Sequence, residues 1–397
     1  MRIVFMAPFG LRPKGTLLAR MVPLAAGLQQ LGDYVTIVAP PYTNPEDSGK
    51  VEVVDGVTVR NIGLGSIRGP LAAPGLAWRL LRAAWNERPH LIHLFKPKGY
   101  GGLAAMALLM GQRLGWPLPP LFVDTDDWEG WGGMNEARSY SYLEKRLFQF
   151  QESWLTRRAR GVTVASRTLQ TQIWGFGVAP DHVAYVPNGV SPSPLGQASG
   201  PRQRWNIPPA APVVLLYTRF LEFDLEKLVY VFEEIHRRAP ATYFLVVGQG
   251  RADEAQRLKL AAASRGFLEA LRVAGWVSPP EIPHYLAAGD VAIYPMEDSL
   301  VNRAKCPAKL TELLMAERAV VADKVGQTGE YINHGVSGLL CEPEDWPAMA
   351  NHVCELLNDE KRRRSMGGEA RHFVQSRFAW KDQTAKLYAF YRRHIAI

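Results

Sequence analysis

The sequence predicts an α/β protein of two Rossmann-like, doubly wound parallel-sheet domains in tandem. Three observations predict it. Short apolar runs alternate with helical patterns along the chain, as when strands feed crossover helices. The alternation comes in two series of similar size, separated by a stretch rich in Pro, Gly and Ser. The 397 residues, 47% of them hydrophobic, are too many for one ordinary core and suit two domains of more than about 150 residues each.

In the first series, Arg2–Ala7, Tyr34–Pro40, Leu91–Phe95, Leu121–Asp124 and Gly161–Ala165 have the length and apolar content of buried strands. Leu17–Leu31 and Leu76–Asn86 between them carry helical spacing. Residues 191–212 (SPSPLGQASGPRQRWNIPPAAP) break the pattern and are expected to form a linker. The second series is Val213–Thr218, Tyr243–Val247, Arg272–Gly275, Val291–Tyr294 and Ala319–Ala322. The expected domains are therefore 1–190 and 213–379. The remainder, 380–397, is an aromatic, basic helix placed to pack back on the first domain.

The formal charge is +8. Residues 1–188 hold 20 Lys/Arg against 14 Asp/Glu, so +6 of it lies in the first half. That excess is either a solvated basic surface or a site for an anionic partner such as nucleotide phosphate or anionic lipid. A nucleic-acid partner is disfavoured because no recognition motif accompanies the charge. Cys306, Cys341 and Cys354 form no CxxC pair, which suits a reduced, cytoplasmic setting without structural zinc. The opening MRIVFMAPFG reads as a strand rather than a signal peptide. The longest apolar run, Leu103–Met110, is far short of the roughly 20 residues a membrane-spanning helix needs. Trp78, Arg82 and Trp85 fall on one helical face, with Arg68, Arg79, Arg88, Lys96 and Lys98 nearby. The face is either core and solvated charge, or a peripheral contact with the inner, anionic face of a membrane.

Open α/β sheets bind ligands at the carboxyl ends of their strands. After the first strand, Gly10 to Thr16 leads into a helix. Gly15 and Thr16 are candidates for anion contact, although neither GxxxxGK[ST] nor GxGxxG is present. The strand Leu121–Asp124 runs into Asp126, Asp127, Trp128 and Trp131. Carboxylates there suit proton transfer or sugar hydroxyls, and tryptophan faces suit sugar C–H surfaces. Lys96 and Lys98, just past Leu91–Phe95, are grouped with these tryptophans as acceptor contacts. Arg219, at the end of Val213–Thr218, can fork onto a phosphate. Gly248 and Gly250 follow Tyr243–Val247, and Trp276 and Val277 follow Arg272–Gly275, where a nucleotide can approach backbone. In Asn302 to Glu312, Arg303 and Lys305 precede a helix start and Lys309 lies just inside it, an anion-binding arrangement. Glu312 either accepts bonds from ribose hydroxyls or pairs with Lys309.

In order, Pro187-Asn188-Gly189-Val190, Val247-Gly248-Gln249-Gly250, Ala288-Gly289-Asp290-Val291 and Lys309-Leu310-Thr311-Glu312 resemble segments of the retaining glycosyltransferases of family 4. So does Val325-Gly326 through Glu330 to Gly338. The resemblance spans about 213–360 closely and 1–190 more loosely. It implies a GT-B fold, with two domains facing a central cleft, and transfer from a nucleotide-sugar with retention. No cofactor or obligatory metal is implied. It assigns the donor to the second domain and the acceptor, unidentified, mainly to the first. Arg219 matches the family's arginine on the donor diphosphate. The lysine usual five or six residues later is replaced by Asp224 and Leu225, so Lys227 or Lys305 is left to substitute. Glu312 matches the second glutamate of the Glu-x7-Glu motif, and Ala304 stands in place of the first. The chain has instead an Arg-x-Lys-x-Pro-x-Lys-Leu loop, from Arg303 to Leu310. No histidine follows the fourth strand; the stretch Asp126-Asp127-Trp128 occupies its place. The expected catalytic set is Asp126, Asp127, Arg219 and Lys305.

Two other readings are carried beside this one. A GT-B protein of another kind, either an inverting transferase or an epimerase, has the same layout. A nucleotide-sugar or glycan-binding protein without turnover would fit the loss of the first motif glutamate. A nicotinamide oxidoreductase is disfavoured by the missing glycine fingerprint and ribose acid.

Overall fold

The computed structural model of the chain describes all residues except 13, 14, 16, 67, 68, 137–139, 396 and 397. It divides into two compact units. Unit 1 comprises Met1–Gly189, Ala304–Cys306 and Trp380–Ile397; unit 2 comprises Val190–Arg303 and Pro307–Ala379.

Unit 1 is built on an eight-stranded sheet of order β3-β4-β2-β1-β5-β6-β7-β8. The strands are β1 (Arg2–Met6), β2 (Tyr34–Ala39), β3 (Val51–Val54), β4 (Val57–Asn61), β5 (Leu91–Phe95), β6 (Leu121–Thr125), β7 (Gly161–Val164) and β8 (Val183–Tyr185). All pair in parallel except β3, antiparallel to β4. Its helices are α1 (Val22–Gln30), α2 (Ala73–Asn86), α3 (Gly99–Arg113), α4 (Tyr142–Thr156) and α5 (Arg167–Gly175). α2, α3 and α4 cover one sheet face, packing on Val4, Ile92, Leu94 and Val123. α1 and the C-terminal helix cover the other face over Phe5, Phe95 and Phe122. Central strands buried on both sides read as the continuous apolar runs seen in the sequence.

The β3–β4 hairpin was not expected from the apolar runs, because its strands are short and half-buried. Its turn, Asp55-Gly56, has φ of 49° and 78°, the left-handed pair that a tight hairpin requires. The expected helix 17–31 is not uniform. Leu17–Met21 is a π-helical turn, and the α-helix begins at Val22. Pro23 lacks the amide that would bond back to Ala19, so the wider turn is accommodated there.

Unit 2 holds a six-stranded parallel sheet, β11-β10-β9-β12-β13-β14. These strands are β9 (Val213–Tyr217), β10 (Tyr243–Val247), β11 (Leu271–Gly275), β12 (Val291–Tyr294), β13 (Ala319–Asp323) and β14 (Leu339–Cys341). Its helices are α6 (Ser199–Arg204), α7 (Leu225–Arg238), α8 (Glu254–Ser264), α9 (Ile282–Ala287), α10 (Leu300–Ala304), α11 (Ala308–Met315), α12 (Thr328–Tyr331), α13 (Trp346–Asn358) and α14 (Glu360–Phe378). The last residue of α10, Ala304, is grouped with unit 1. The stretch read as a linker carries α6, whose Arg202 bonds to Asp290 at 2.9 Å and to the Pro209 and Ala211 carbonyls, both at 2.9 Å.

The last helix, α15 (Trp380–His394), belongs to unit 1 and lies against α1. The approach is close: a side chain at Gly27 would come within 2.4 Å of Thr384 Oγ1. In each sheet the strand order reverses beside the first strand, between β1 and β5 and between β9 and β12. These switch points are where an open α/β sheet leaves room for a ligand.

Candidate functional site

In unit 1, β5 ends at Phe95 and Lys96 follows with φ 56°. That left-handed conformation is costly for a residue with a β-carbon. The Lys96 ammonium is buried at the end of β6, 2.8 Å from Asp126 Oδ1 and 3.7 Å from Glu129 Oε1, and paired with Asp127. Burial opposes its charge, but Asp126, Asp127 and Glu129 outweigh burial and raise its pKa. The cation at the centre of these carboxylates is thus a lysine. Burial pushes the Asp126 carboxyl up, against Lys96 and with help from Asp127 and Asp124. Burial pushes Asp127 the same way, but Lys96 outweighs it, assisted by Lys305 and Lys98, and holds Asp127 below the usual range. Two adjacent carboxyls therefore differ in proton affinity, the condition for distinct acid and base roles.

Lys98 pairs with Glu129 and donates to Asn135 Oδ1 at 3.1 Å. Trp131 is exposed, and Trp128 turns its Nε1–H onto the Trp131 carbonyl at 3.0 Å. Trp131 is the more exposed of the two tryptophans. The Gly15 carbonyl accepts from the Ala19 amide at 2.6 Å; Thr16 lies outside the described residues, as does Arg68. Trp78 and Trp85, for which a core role was one alternative, are both exposed.

Beneath this edge lies a buried polar chain that sequence reading missed. Arg20, in the π-helical turn, forks onto Asp124 with bonds of 2.9 and 2.6 Å. Thr163 donates to Asp124 at 2.5 Å and lies 3.2 Å from His93 Nε2, while His93 Nδ1 lies 2.5 Å from the Tyr391 hydroxyl of α15. Burial lowers the His93 pKa to about 4, so its ring is neutral at physiological pH. Glu152 was also missed. It accepts from the Glu129 amide at 3.3 Å and is pushed up to about 8 by burial and by Glu129.

In unit 2, four side chains meet at the end of β9. Tyr217, the last residue of the strand, hydrogen-bonds Glu312. The Lys309 ammonium lies 3.3 Å from the centroid of the Tyr217 ring. Arg219 is exposed, its nearest carboxylate oxygen on Glu222 3.8 Å away. Desolvation lowers the Lys309 pKa to about 8; Glu312 opposes that and Arg219 reinforces it. Glu312 keeps an exposed surface, and the partial desolvation around its carboxyl raises its pKa against Lys309 and Tyr217.

Glycine is required beside this cluster. Gly248 has φ 120°, and any β-carbon there would sit 1.8 Å from the Thr218 carbonyl. The turn after β10 therefore presses against the end of β9, with bare backbone at the edge. Gly248 donates to the Gly275 carbonyl at 2.7 Å, which brings the exposed Trp276 and half-buried Val277 to the same edge. A side chain at Gly250 would meet the Glu254 carboxylate at 2.2 Å.

Four expectations need correction. Lys227 is 1% exposed and bonds Asp323 Oδ2 at 2.5 Å. It lies on the inward face of α7 with Leu228 and Val231, and its ammonium is taken up by Asp323 at the end of β13 instead of being open to a ligand. The Leu310 side chain is in the core, which leaves only its backbone for a ligand. Arg303 is exposed and forked onto Asp298. Lys305 is grouped with unit 1, not with unit 2. Pro307 stands at the N-cap of α11, and no side chain caps that helix.

Comparison with known proteins agrees with this layout. A glycosyl transferase 4-like domain matches residues 15–189, and a glycosyl transferases group 1 domain matches 201–373. Glycogen synthase of Mycobacterium tuberculosis is 24% identical over 254 residues, 61% of this chain and 57% of that protein. The GDP-mannose-dependent alpha-(1-6)-phosphatidylinositol monomannoside mannosyltransferase of the same organism is 27% identical over 236 residues, 58% of this chain and 60% of that protein. The matched segments thus span somewhat over half the length of these relatives. Among solved structures, sucrose-phosphate synthase of Thermosynechococcus elongatus superposes with a TM-score of 0.74 at 17% identity, covering 99% of this chain and 98% of its own. Anabaena HepE, solved in complex with UDP-glucose, gives 0.71 at 20% identity, covering 98% and 99%. With both domain models matched in order on two parallel α/β sheets, the chain belongs to the glycosyltransferases of the GT-B fold.

Proposed function

We propose that the protein transfers a sugar, with retention, from a nucleoside-diphosphate sugar bound by unit 2 to a hydroxyl of an acceptor bound by unit 1. The observation that carries the reading is the cluster of Tyr217, Arg219, Lys309 and Glu312 at the end of β9. Departure of the nucleotide builds negative charge on its diphosphate. Arg219, Lys309 and the uncapped amides of α11 are preorganised cations and dipoles for that charge. Glu312 is placed to accept from ribose hydroxyls, and Trp276 to lie against the base. In unit 1, ionised Asp127 accepts a hydrogen bond from the acceptor hydroxyl, Lys96 holds Asp127 in place, and Trp131 lies against an acceptor ring. HepE is described in complex with UDP and with UDP-glucose, which supports a nucleotide-sugar donor here.

Calorimetry with UDP, GDP, ADP and dTDP tests the donor half. One of them is expected to bind, and Arg219→Ala should weaken it by about 1.5–3 kcal/mol, the scale of a charged hydrogen bond. Unchanged affinity in that variant would remove Arg219 from the site. The second reading, a binding protein without turnover, is favoured by Ala304 in place of the first motif glutamate. Tight nucleotide binding with neither transfer nor donor hydrolysis would decide for it.

A further inference from the structure

Unit 1 carries an outer surface that the transfer reaction does not use. α2, α3 and α4 lie side by side on one sheet face, with Leu80, Leu108 and Leu155 turned inward. Other faces of the same helices expose large apolar side chains. A surface ridge of a soluble helix is ordinarily polar. These are not. On α2 the ridge is Trp78, Arg82 and Trp85, at spacings of four and three, with Trp78 61% exposed. α3 ends in exposed Met110, Leu114 and Trp116, with Leu114 72% exposed. α4 shows Leu143, Leu147 and Phe150, with Leu143 78% exposed.

The charge on this layer is predominantly positive. Between Gly56 and Val123 the sequence has a single acid, Glu87, and it pairs with Arg60 at 2.9 Å. The acids of α4 are engaged: Glu144 closes a capping box with Ser141, and Glu152 is buried. Where α3 and α4 end, Arg113 and Arg158 both lie over the Trp154 ring, at 5.9 and 4.4 Å, with Arg157 adjacent. Among the described residues no carboxylate pairs with these three arginines. Beside them opens a cavity of about 550 Å³, lined by Leu109, Gln112, Arg158, Arg160 and His182. That is within the size range of small-ligand sites, roughly 300–1,000 Å³.

We propose that the outer face of α2, α3 and α4 docks unit 1 onto an anionic phospholipid bilayer. Exposed tryptophans, exposed aliphatic side chains and arginines with no carboxylate partner make up the composition of an interfacial surface. A protein partner of neutral surface would leave the arginine cluster without counter-charge. The cavity beside Arg158 and Arg160 accommodates one anionic headgroup. No described helix is long and apolar enough to cross a membrane, so the contact is peripheral.

The test is flotation of the full chain with vesicles, without nucleotide, so its outcome is independent of the transferase reading. Vesicles of phosphatidylcholine alone and of phosphatidylcholine with phosphatidylglycerol are compared at low and high salt. Binding is expected to the anionic vesicles only, and to be lost at high salt. Arg113→Gln and Arg158→Gln should each weaken it about fivefold, the equivalent of one arginine at an anionic surface. Trp116→Ala should weaken it further; all three positions are exposed, and unchanged melting would confirm an intact fold. Absence of binding at low salt, or equal recovery on neutral and anionic vesicles, would overturn the proposal. So would self-association in sedimentation that Trp116→Ala abolishes, since the face would then be an interface between two copies.

Discussion

Glu152 is a carboxyl placed where a helix puts its core. Phe148, Gln151, Glu152 and Leu155 recur at the spacing of a buried helical stripe, and all four are buried. Its pKa stands at about 8 against an ordinary 4.5. A raised carboxyl favours folding while it is protonated. That contribution is complete below about 4.5 and is lost as pH rises through about 8. Glu152→Gln, which cannot ionise, should therefore flatten the fall in melting temperature across that window; an unchanged slope would mean the group is hydrated. Arg20 and Asp124 give the opposite case, a buried guanidinium whose main counter-charge is one carboxylate. Asp124→Ala strands a buried guanidinium and should cost about 3–5 kcal/mol by urea denaturation, while Arg20→Met with Asp124→Leu should recover most of the loss. Strict additivity of the two sites would show that they do not interact. Both residues could have been found in the sequence. Arg20 shares the stripe of Leu17, Leu24 and Leu28, as Glu152 shares that of Phe148 and Leu155. A charge on an apolar stripe implies a buried partner, but the partner, from 104 residues away in the case of Asp124, is supplied by topology and cannot be read from spacing.

At the scale of elements, the proposed donor site lies where β9 meets the first turns of α11. The sequence pointed to residues at both ends, because Arg219 follows an apolar run and Lys309 follows a proline. It did not show Tyr217, whose place as the last buried strand residue looks like core until Lys309 is seen over its ring. It misplaced Lys227 because distance along the chain from Arg219 says nothing of the face of α7 on which a side chain lies. The helical period does say so, since Lys227 is three residues before Tyr230 and four before Val231, and the buried members of α7 include Leu228, Val231 and Ile235. The hairpin β3–β4 was similarly readable from Asp55-Gly56 alone, although its half-exposed strands lack a long apolar run. The pairing of Lys309 with Tyr217 has a consequence for pH. The ammonium sheds its proton as pH rises through about 8, so a diphosphate loses one counter-charge there. Affinity for the nucleoside diphosphate should fall above that pH in the wild type, and Lys309→Arg should carry the plateau to higher pH. Parallel profiles for the two proteins would place Lys309 outside the site.

At the scale of the whole molecule, each unit has its own sheet and its own cores, and the proposed function gives each one substrate. Unit 1 is not continuous in sequence. Its second sheet face is completed by α15, whose Leu387, Phe390 and Tyr391 are buried with Phe5 and Phe122. Removing a core leucine costs the transfer of its side chain plus the cavity left behind, about 2–5 kcal/mol. In Leu387→Ala that loss falls within unit 1, 10 residues from the end of the chain. The proposed nucleotide contacts, Arg219, Lys309 and Glu312, all belong to unit 2. Leu387→Ala should therefore lower the melting temperature of unit 1 while leaving the dissociation constant for the nucleoside diphosphate within about twofold of wild type at temperatures where the protein stays folded. Arg219→Ala should do the reverse, weakening the nucleotide without moving the unliganded melting temperature. If Leu387→Ala weakens the nucleotide as much as Arg219→Ala does, the nucleotide is held by both units and its assignment to unit 2 alone fails.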